Sequence, residues 1–177
     1  RKGSTKSKKQ LFAVHRLDRD TSGVLVFAKS FDACETLKVQ WKDVKKKYIA
    51  MVHGILKEKS GMITSYLAEN DDYEVYSVSE HRKGDLAKTK YKVVEESKVY
   101  SLIEIELLTG RKNQIRVHFS EKGHPLVGDT KYGKKDGPKR RLALHSQFLT
   151  FKHPRTGKEV TFQAEVPIFF KKHFKNA

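Results

Sequence analysis

Apolar residues alternate with polar ones along most of the chain and follow a helical period in only a few places. Over residues 46–54, Tyr48, Ala50 and Val52 take one side and Lys47, Ile49 and Met51 the other. This predicts a strand ended by Gly54. Residues 61–68 read as a second, short strand. Residues 88–94 and 100–108 alternate as well, with 95–98 as the turn between them, so an antiparallel hairpin is expected. Residues 141–146 read as a strand. The runs 148–152 and 159–164 flank His153-Pro154-Arg155-Thr156-Gly157, a hairpin turn by its Pro and Gly. Residues 69–85 form a polar excursion, expected as a hairpin or loop.

The helical period is found at residues 31–46, where Cys34, Leu37, Trp41 and Val44 share a face. Asp32 and Glu35 have capping-box spacing there, and Trp41 is expected in the core. It recurs at 113–121, where Ile115, Val117 and Phe119 give the apolar side and Gly123 the stop. A short aromatic and basic tail at 169–174 is expected to be helical.

One stretch departs from these patterns. In residues 15–23, polar and charged side chains crowd around Leu17. They run into Val24-Leu25-Val26-Phe27-Ala28, which reads as a buried strand with Gly23 at its entry. Two carboxylates, Asp18 and Asp20, lie there beside Arg16 and Arg19. An arginine neighbour favours an ionised carboxylate, as a nucleophile or base requires. Asp, Thr, Ser and Gly are also the common turn formers, so a plain turn is the competing reading.

The 177 residues suit one domain with a core. The first 12 read as a basic, flexible arm, and residues 13–177 as the domain. Lys and Arg number 37 against 21 Asp and Glu, a net charge of +16. That excess points to a polyanion, with nucleic acid the first candidate. No apolar run approaches the roughly 20 residues of a membrane span, so no membrane partner is expected. The charge is uneven. Residues 131–141 carry six bases and one acid, whereas 69–85 carry six acids and two bases. The basic run includes Lys139, Arg140 and Arg141, suited to phosphate contact; a solvated charge run is its plain alternative. The single cysteine, Cys34, excludes an internal disulfide and a cysteine-based zinc cluster, and fits a reducing cytoplasm. The histidines lack metal-ligand spacing and no phosphate-binding glycine loop appears, so neither metal nor nucleotide cofactor is expected.

The stretch His15-Arg16-Leu17-Asp18-Arg19-Asp20-Thr21-Ser22-Gly23 closely resembles the H-R-L-D-x-x-T-S-G signature of the RluA-type pseudouridine synthases. Three further blocks follow in the family's order. Lys46, Tyr48, Ala50, Val52 and Gly54 match K-x-Y-x-A-x-V-x-G. Residues 107–118 resemble L-x-T-G-R-x-H-Q-I-R-x-H and continue as Gly123-His124-Pro125-Leu126-Val127-Gly128-Asp129 and Tyr132-Gly133. Arg141-Leu142-Ala143-Leu144-His145 resembles R-L-x-L-H. The resemblance implies an α/β domain in the α+β sense, with a mixed, largely antiparallel sheet flanked by helices. It implies isomerisation of uridine in rRNA or tRNA with Asp18 as the catalytic residue, Tyr48 lining the site and Arg116 paired to Asp18. It also implies substrate contacts from Arg16, Thr21, Arg111, Asn113 and Gln114. Asn113 stands where the family usually has histidine; it can donate a hydrogen bond but cannot titrate. The strand and K-P-x-G motif that usually precede the first block are not visible, so a fragment or a lost segment is expected, with one sheet edge incomplete. The rival reading is a basic RNA-binding module without catalysis. Oligomeric state is open, with a monomer as the working expectation.

Overall fold

The structure is a computed structural model, and it describes residues 10–80, 83–133, 141–171 and 174. In chain order it runs through β1 (Phe12–Ala13), β2 (Ser22–Gly23), β3 (Phe27–Ala28), α1 (Phe31–Val39) and a 3-10 turn (Gln40–Asp43). Then come β4 (Lys45–His53), β5 (Ser60–Glu69), β6 (Val75–Val78), β7 (Asp85–Glu96), β8 (Tyr100–Leu107) and α2 (Gln114–Glu121). β9 (Leu144–Lys152), β10 (Glu159–Gln163) and α3 (Ile168–Lys171) complete it.

Among the described residues, one sheet has the order β10-β9-β4-β8-β7-β5-β6, with β2 joined to β9. All its pairings are antiparallel except β2 with β9, which is parallel. The mixed, largely antiparallel sheet is thus as the sequence suggests. β4 lies in the middle, and its period of two sorts its side chains as expected. Ala50 and Val52 join Ile103, Ile105, Ile115 and Phe119 in one core, with Tyr48 packed at its margin. Ile49 and Met51 join Val127, Ala143 and Phe170 on the opposite face. Helices α2 and α3 therefore cover opposite faces of the same strand, and burying both faces is what fixes the register of β4.

Four expectations are corrected in detail. Residues 24–28 are not one buried strand: only Phe27 and Ala28 pair, with β1, and Leu25 and Phe27 are exposed. The run is divided between β2, which leaves for β9, and β3, which turns back to β1. The first helix is shorter than 31–46, giving way to the 3-10 turn after Val39, and its cap is Ser30, whose hydroxyl accepts from Ala33 N. The Asp32–Glu35 spacing is not the cap. Trp41 is half-buried rather than core: it stacks on His15 with ring centroids 4.5 Å apart. Residues 141–146 and 148–152 are not two strands, because β9 runs unbroken from Leu144 to Lys152. The polar excursion contains β6, which extends β5 as a hairpin. Residues 1–9 and the Lys139–Arg140 pair lie outside the described residues.

Candidate active site

Gly23 explains how the acidic turn is held. Its φ is +120°, and a Cβ there would lie 2.1 Å from the Ser146 carbonyl oxygen, so only glycine lets the chain come this close to β9. Two bonds complete the seam. Val24 N donates to Ser146 O at 2.9 Å, and Ser22 Oγ lies 2.8 Å from His145 Nδ1. His145 is 3% exposed, and its burial pushes its pKa down, so a neutral ring serves as the clip. The turn itself closes through Thr21 N donating to Asp18 O. Asp18 is thereby fixed at the edge of a cleft of about 450 Å³, within the range of ligand sites.

The opposite wall is α2. Its first residue follows Asn113, which adopts the left-handed backbone at φ 53°, a conformation asparagine tolerates better than most side chains. Asn113 does not use its amide to cap the helix. Nδ2 instead donates to Asp18 Oδ2 at 3.3 Å. Arg116, one turn on, brings Nη1 to 3.6 Å from the same oxygen. So the two residues that the sequence separates by 95 and 98 positions from Asp18 converge on one carboxylate oxygen (113 − 18 and 116 − 18).

Tyr48 comes from the sheet floor. The β4–β9 register slips between Lys47 and Tyr48, so that Lys47 faces Phe148 while Tyr48 faces Ser146. Such a bulge turns a side chain out of the regular pleat, and bulges are common beside active sites. Burial pushes the Tyr48 phenol pKa up, and the charge of Asp18 acts the same way. The phenol therefore stays protonated at neutral pH and is a proton donor. Trp41, His15 and Lys46 line the same cleft, and Lys46 is 7% exposed, donating to Trp41 O at 3.0 Å.

The other site residues expected from the sequence divide. Arg16 is exposed and lines the cleft, and its side chain has no hydrogen-bond or ion-pair partner among the described residues. Thr21 lines the cleft, with its hydroxyl buried. Arg111 is at the rim, where Nε donates to Leu86 O at 3.1 Å and Nη1 lies 3.3 Å from Asp85. Gln114 lines the cleft, with its amide bonded within the protein. Its oxygen accepts from Thr109 Oγ1 and Arg111 N, and its nitrogen donates to Lys88 O and Thr89 Oγ1. At 2% exposure, its amide has no hydrogen left for a ligand. Arg141 packs over the Phe169 ring at 5.5 Å and borders a separate hollow with Arg19, Asp20 and Thr21. Asp20 thus faces away from the cleft that holds Asp18. The residue that sequence reasoning missed is Asp129, whose side chain is fully buried against Arg116. Its signal was present in the third motif block, in the Gly-Asp pair before Tyr132.

A cleft in which an arginine and an amide converge on one carboxylate and a phenol lines the same space, at the seam of a largely antiparallel sheet, has the build of an enzyme site. The family model described as RNA pseudouridylate synthase matches residues 1–121, and the chain belongs to that family, of the RluA type. Among its relatives is the uncharacterized RNA pseudouridine synthase YlyB of Bacillus subtilis, 43% identical, covering 87% of this chain and 52% of that protein. Another is the ribosomal large subunit pseudouridine synthase C of Buchnera aphidicola, 36% identical over 93% of this chain and 56% of its own length. The chain spans about half the length of these relatives. Among solved structures, human RNA pseudouridylate synthase domain containing 1 superposes with a TM-score of 0.79 at 27% identity, over 90% of this chain and 70% of that one.

Proposed function

We propose that the protein converts uridine to pseudouridine in RNA, with Asp18 as the catalytic carboxylate. The observation that carries this is the convergence of Asn113 Nδ2 and Arg116 Nη1 on Asp18 Oδ2 inside the cleft that Tyr48 also lines. Family membership supports the reaction, and the relatives named for the ribosomal large subunit support a structured RNA, ribosomal or transfer, as substrate.

The reaction breaks the bond from ribose C1′ to base N1 and forms one from C1′ to C5. The proton on C5 leaves and N1 gains one, so substrate and product are isomers and no redox partner is required. A single carboxylate starts it by attacking C1′ or by taking the 2′ proton; both need Asp18 ionised beside the sugar. Arg116 and Asn113 hold the carboxylate in place through its Oδ2. The base must leave its stack to reach the cleft. The Tyr48 ring offers it a face, and the phenol a proton group near C5. Arg16, exposed at the mouth, fills the space the base leaves. The single cysteine fits work in a reducing cytoplasm.

A basic RNA-binding module explains the +16 charge but gives no reason for a carboxylate lining a basic cleft, where it would repel phosphate. The test is to incubate the purified protein with ribosomal and transfer RNA transcripts and map pseudouridine base by base. New pseudouridine at defined uridines supports the enzyme. Tight binding with no isomerisation in any RNA refutes it in favour of the module.

A further inference from the structure

Arg116 has two carboxylates to serve, and the geometry assigns them unequal parts. Nε donates to Asp129 Oδ2 at 2.8 Å and Nη2 to Asp129 Oδ1 at 2.8 Å, a two-pronged pair with Asp129 fully buried. This fork-on-fork contact uses one edge of the planar guanidinium and fixes its plane. Nη1 is the nitrogen left over, and it is the one that faces Asp18. The Tyr132 ring lies over the plane, 5.2 Å from the guanidinium carbon, and blocks its tilt.

Asp129 is itself immobilised. Oδ1 also accepts from Lys131 N and Tyr132 N, each at 2.9 Å, and Gly133 N closes the turn onto Asp129 O at 3.0 Å. Gly133 is needed for that closure, since a Cβ there would lie 2.1 Å from the Asp129 carbonyl oxygen. Ser120 Oγ donates to Tyr132 O at 2.6 Å, tying the turn to α2, and the Tyr132 hydroxyl accepts from Val75 N at 3.0 Å, tying it to β6. The turn at 129–133 thus grips the guanidinium from an edge and a face, with anchors on two other elements.

We propose that Asp129 is a positioning residue that acts through Arg116: by occupying Nε and Nη2 it presents Nη1 to Asp18 at a fixed angle. This rests on the reading of Asp18 as the acting carboxylate. A guanidinium free to turn would present any of its nitrogens, and misplacement by an ångström can cost about 10²-fold in rate.

Two measurements test it. In Asp129→Asn the amide keeps the volume but offers only one oxygen, so whichever way it turns one Arg116 N–H loses its acceptor. Turnover of an RNA substrate should fall about 10²-fold with little change in KM. Arg116→Ala leaves Asp129 as a buried unpaired charge, and adding Asp129→Asn should then recover melting temperature. In that double variant turnover should stay at the Arg116→Ala level, because a residue that acts only through the arginine has nothing left to act on. A residue that merely supports the fold would instead regain activity with stability. Arg116→Lys covers the case in which Asp129→Asn does not fold. It keeps the charge but has no fork, and should be folded and slow; wild-type turnover in Arg116→Lys overturns the proposal, as does a further loss of turnover on adding Asp129→Asn to Arg116→Ala. The slowly exchanging side-chain Nε–H signal of Arg116 in NMR spectra reads the pin without turnover. It should survive Asp18→Asn and be lost in Asp129→Ala, which removes both acceptors, and the reverse pattern overturns the proposal. Failure of the wild type to form pseudouridine, with that signal behaving as expected, would strike the proposed function and leave the pin standing.

Discussion

On the α2 wall of the cleft, Asn113, Gln114 and Arg116 are each no more than 8% exposed, and Gln114 and Arg116 are bonded within the protein on nearly every polar atom. Across from them, Arg16 is exposed with no side-chain partner among the described residues, and Asp18 has 22% of its side chain open. One wall comes from a helix start packed on the sheet, the other from a turn between two-residue strands. The contrast separates two tasks. Groups that hold a fixed angle to the Asp18 carboxylate are built into the core, where neighbours lock their rotamers. Groups that must meet a long, variable polyanion are left in water, where they adapt.

The comparison breaks most visibly at Asp18. Asp18→Asn should lower pseudouridine formation by about 10⁴-fold or more, while RNA affinity stays within a few-fold. Turnover near wild type would move the chemistry elsewhere; Asp20→Asn is the control, since it faces a different hollow and should be close to silent. Tyr48→Phe should come next. It keeps the ring and loses the phenol proton, so turnover should drop by about 10²–10⁴-fold with binding retained. Tyr48→Ala should also weaken binding, by roughly 1–3 kcal/mol for the lost stack. Equal rates for Tyr48→Phe and wild type would reduce Tyr48 to packing.

The locked wall can also be read through its histidine. His118 on α2 is 1% exposed, between Thr89 and Ser65, and burial lowers its pKa from 6.5 to about 4. Between those values the unfolded chain binds a proton that the fold refuses. Stability is therefore intact above about pH 6.5 and falls as pH drops toward 4, by roughly 3 kcal/mol in all. Urea unfolding of His118→Gln against pH should show a flatter slope over that window, and an unchanged slope would place the acid sensitivity elsewhere. The smallest effect belongs to the open wall. Arg16→Ala should leave melting unchanged and reduce the salt dependence of RNA binding by about 0.7 log units per log unit of salt, one phosphate contact. A loss of melting temperature would mean that Arg16 belongs to the fold after all.

What was legible in the sequence follows the same division. The two-sided alternation of β4, the β7–β8 hairpin and the span of α2 could be read because their periods are local. The motif blocks carried Asp18, Tyr48 and Arg116 into one site. The motif position of Gln114 does not reveal that four partners on β7 and the loop after β8 occupy its amide. Asp129 was passed over because a Gly-Asp pair looks like a turn, and only the fold brings it against Arg116. Residues 24–28 misled for a related reason: an apolar run of five cannot show that its two ends pair with different strands.

The seam between β2 and β9 has a consequence for the order of assembly. Ser22 and His145 stand 123 positions apart, so the contact that seats the Asp18 turn closes one of the longest loops in the chain. Contacts of such separation carry the largest closure entropy and form late. A growing chain would have its central hairpin and α2 before it had β9. In pulse-labelled refolding, protection of Val24 N, which is bonded to Ser146 O, should therefore lag behind that of the β7–β8 ladder. The Asp18 carboxylate is brought to Arg116 only when the last large strand arrives, so under the proposed function a partly made chain would not react.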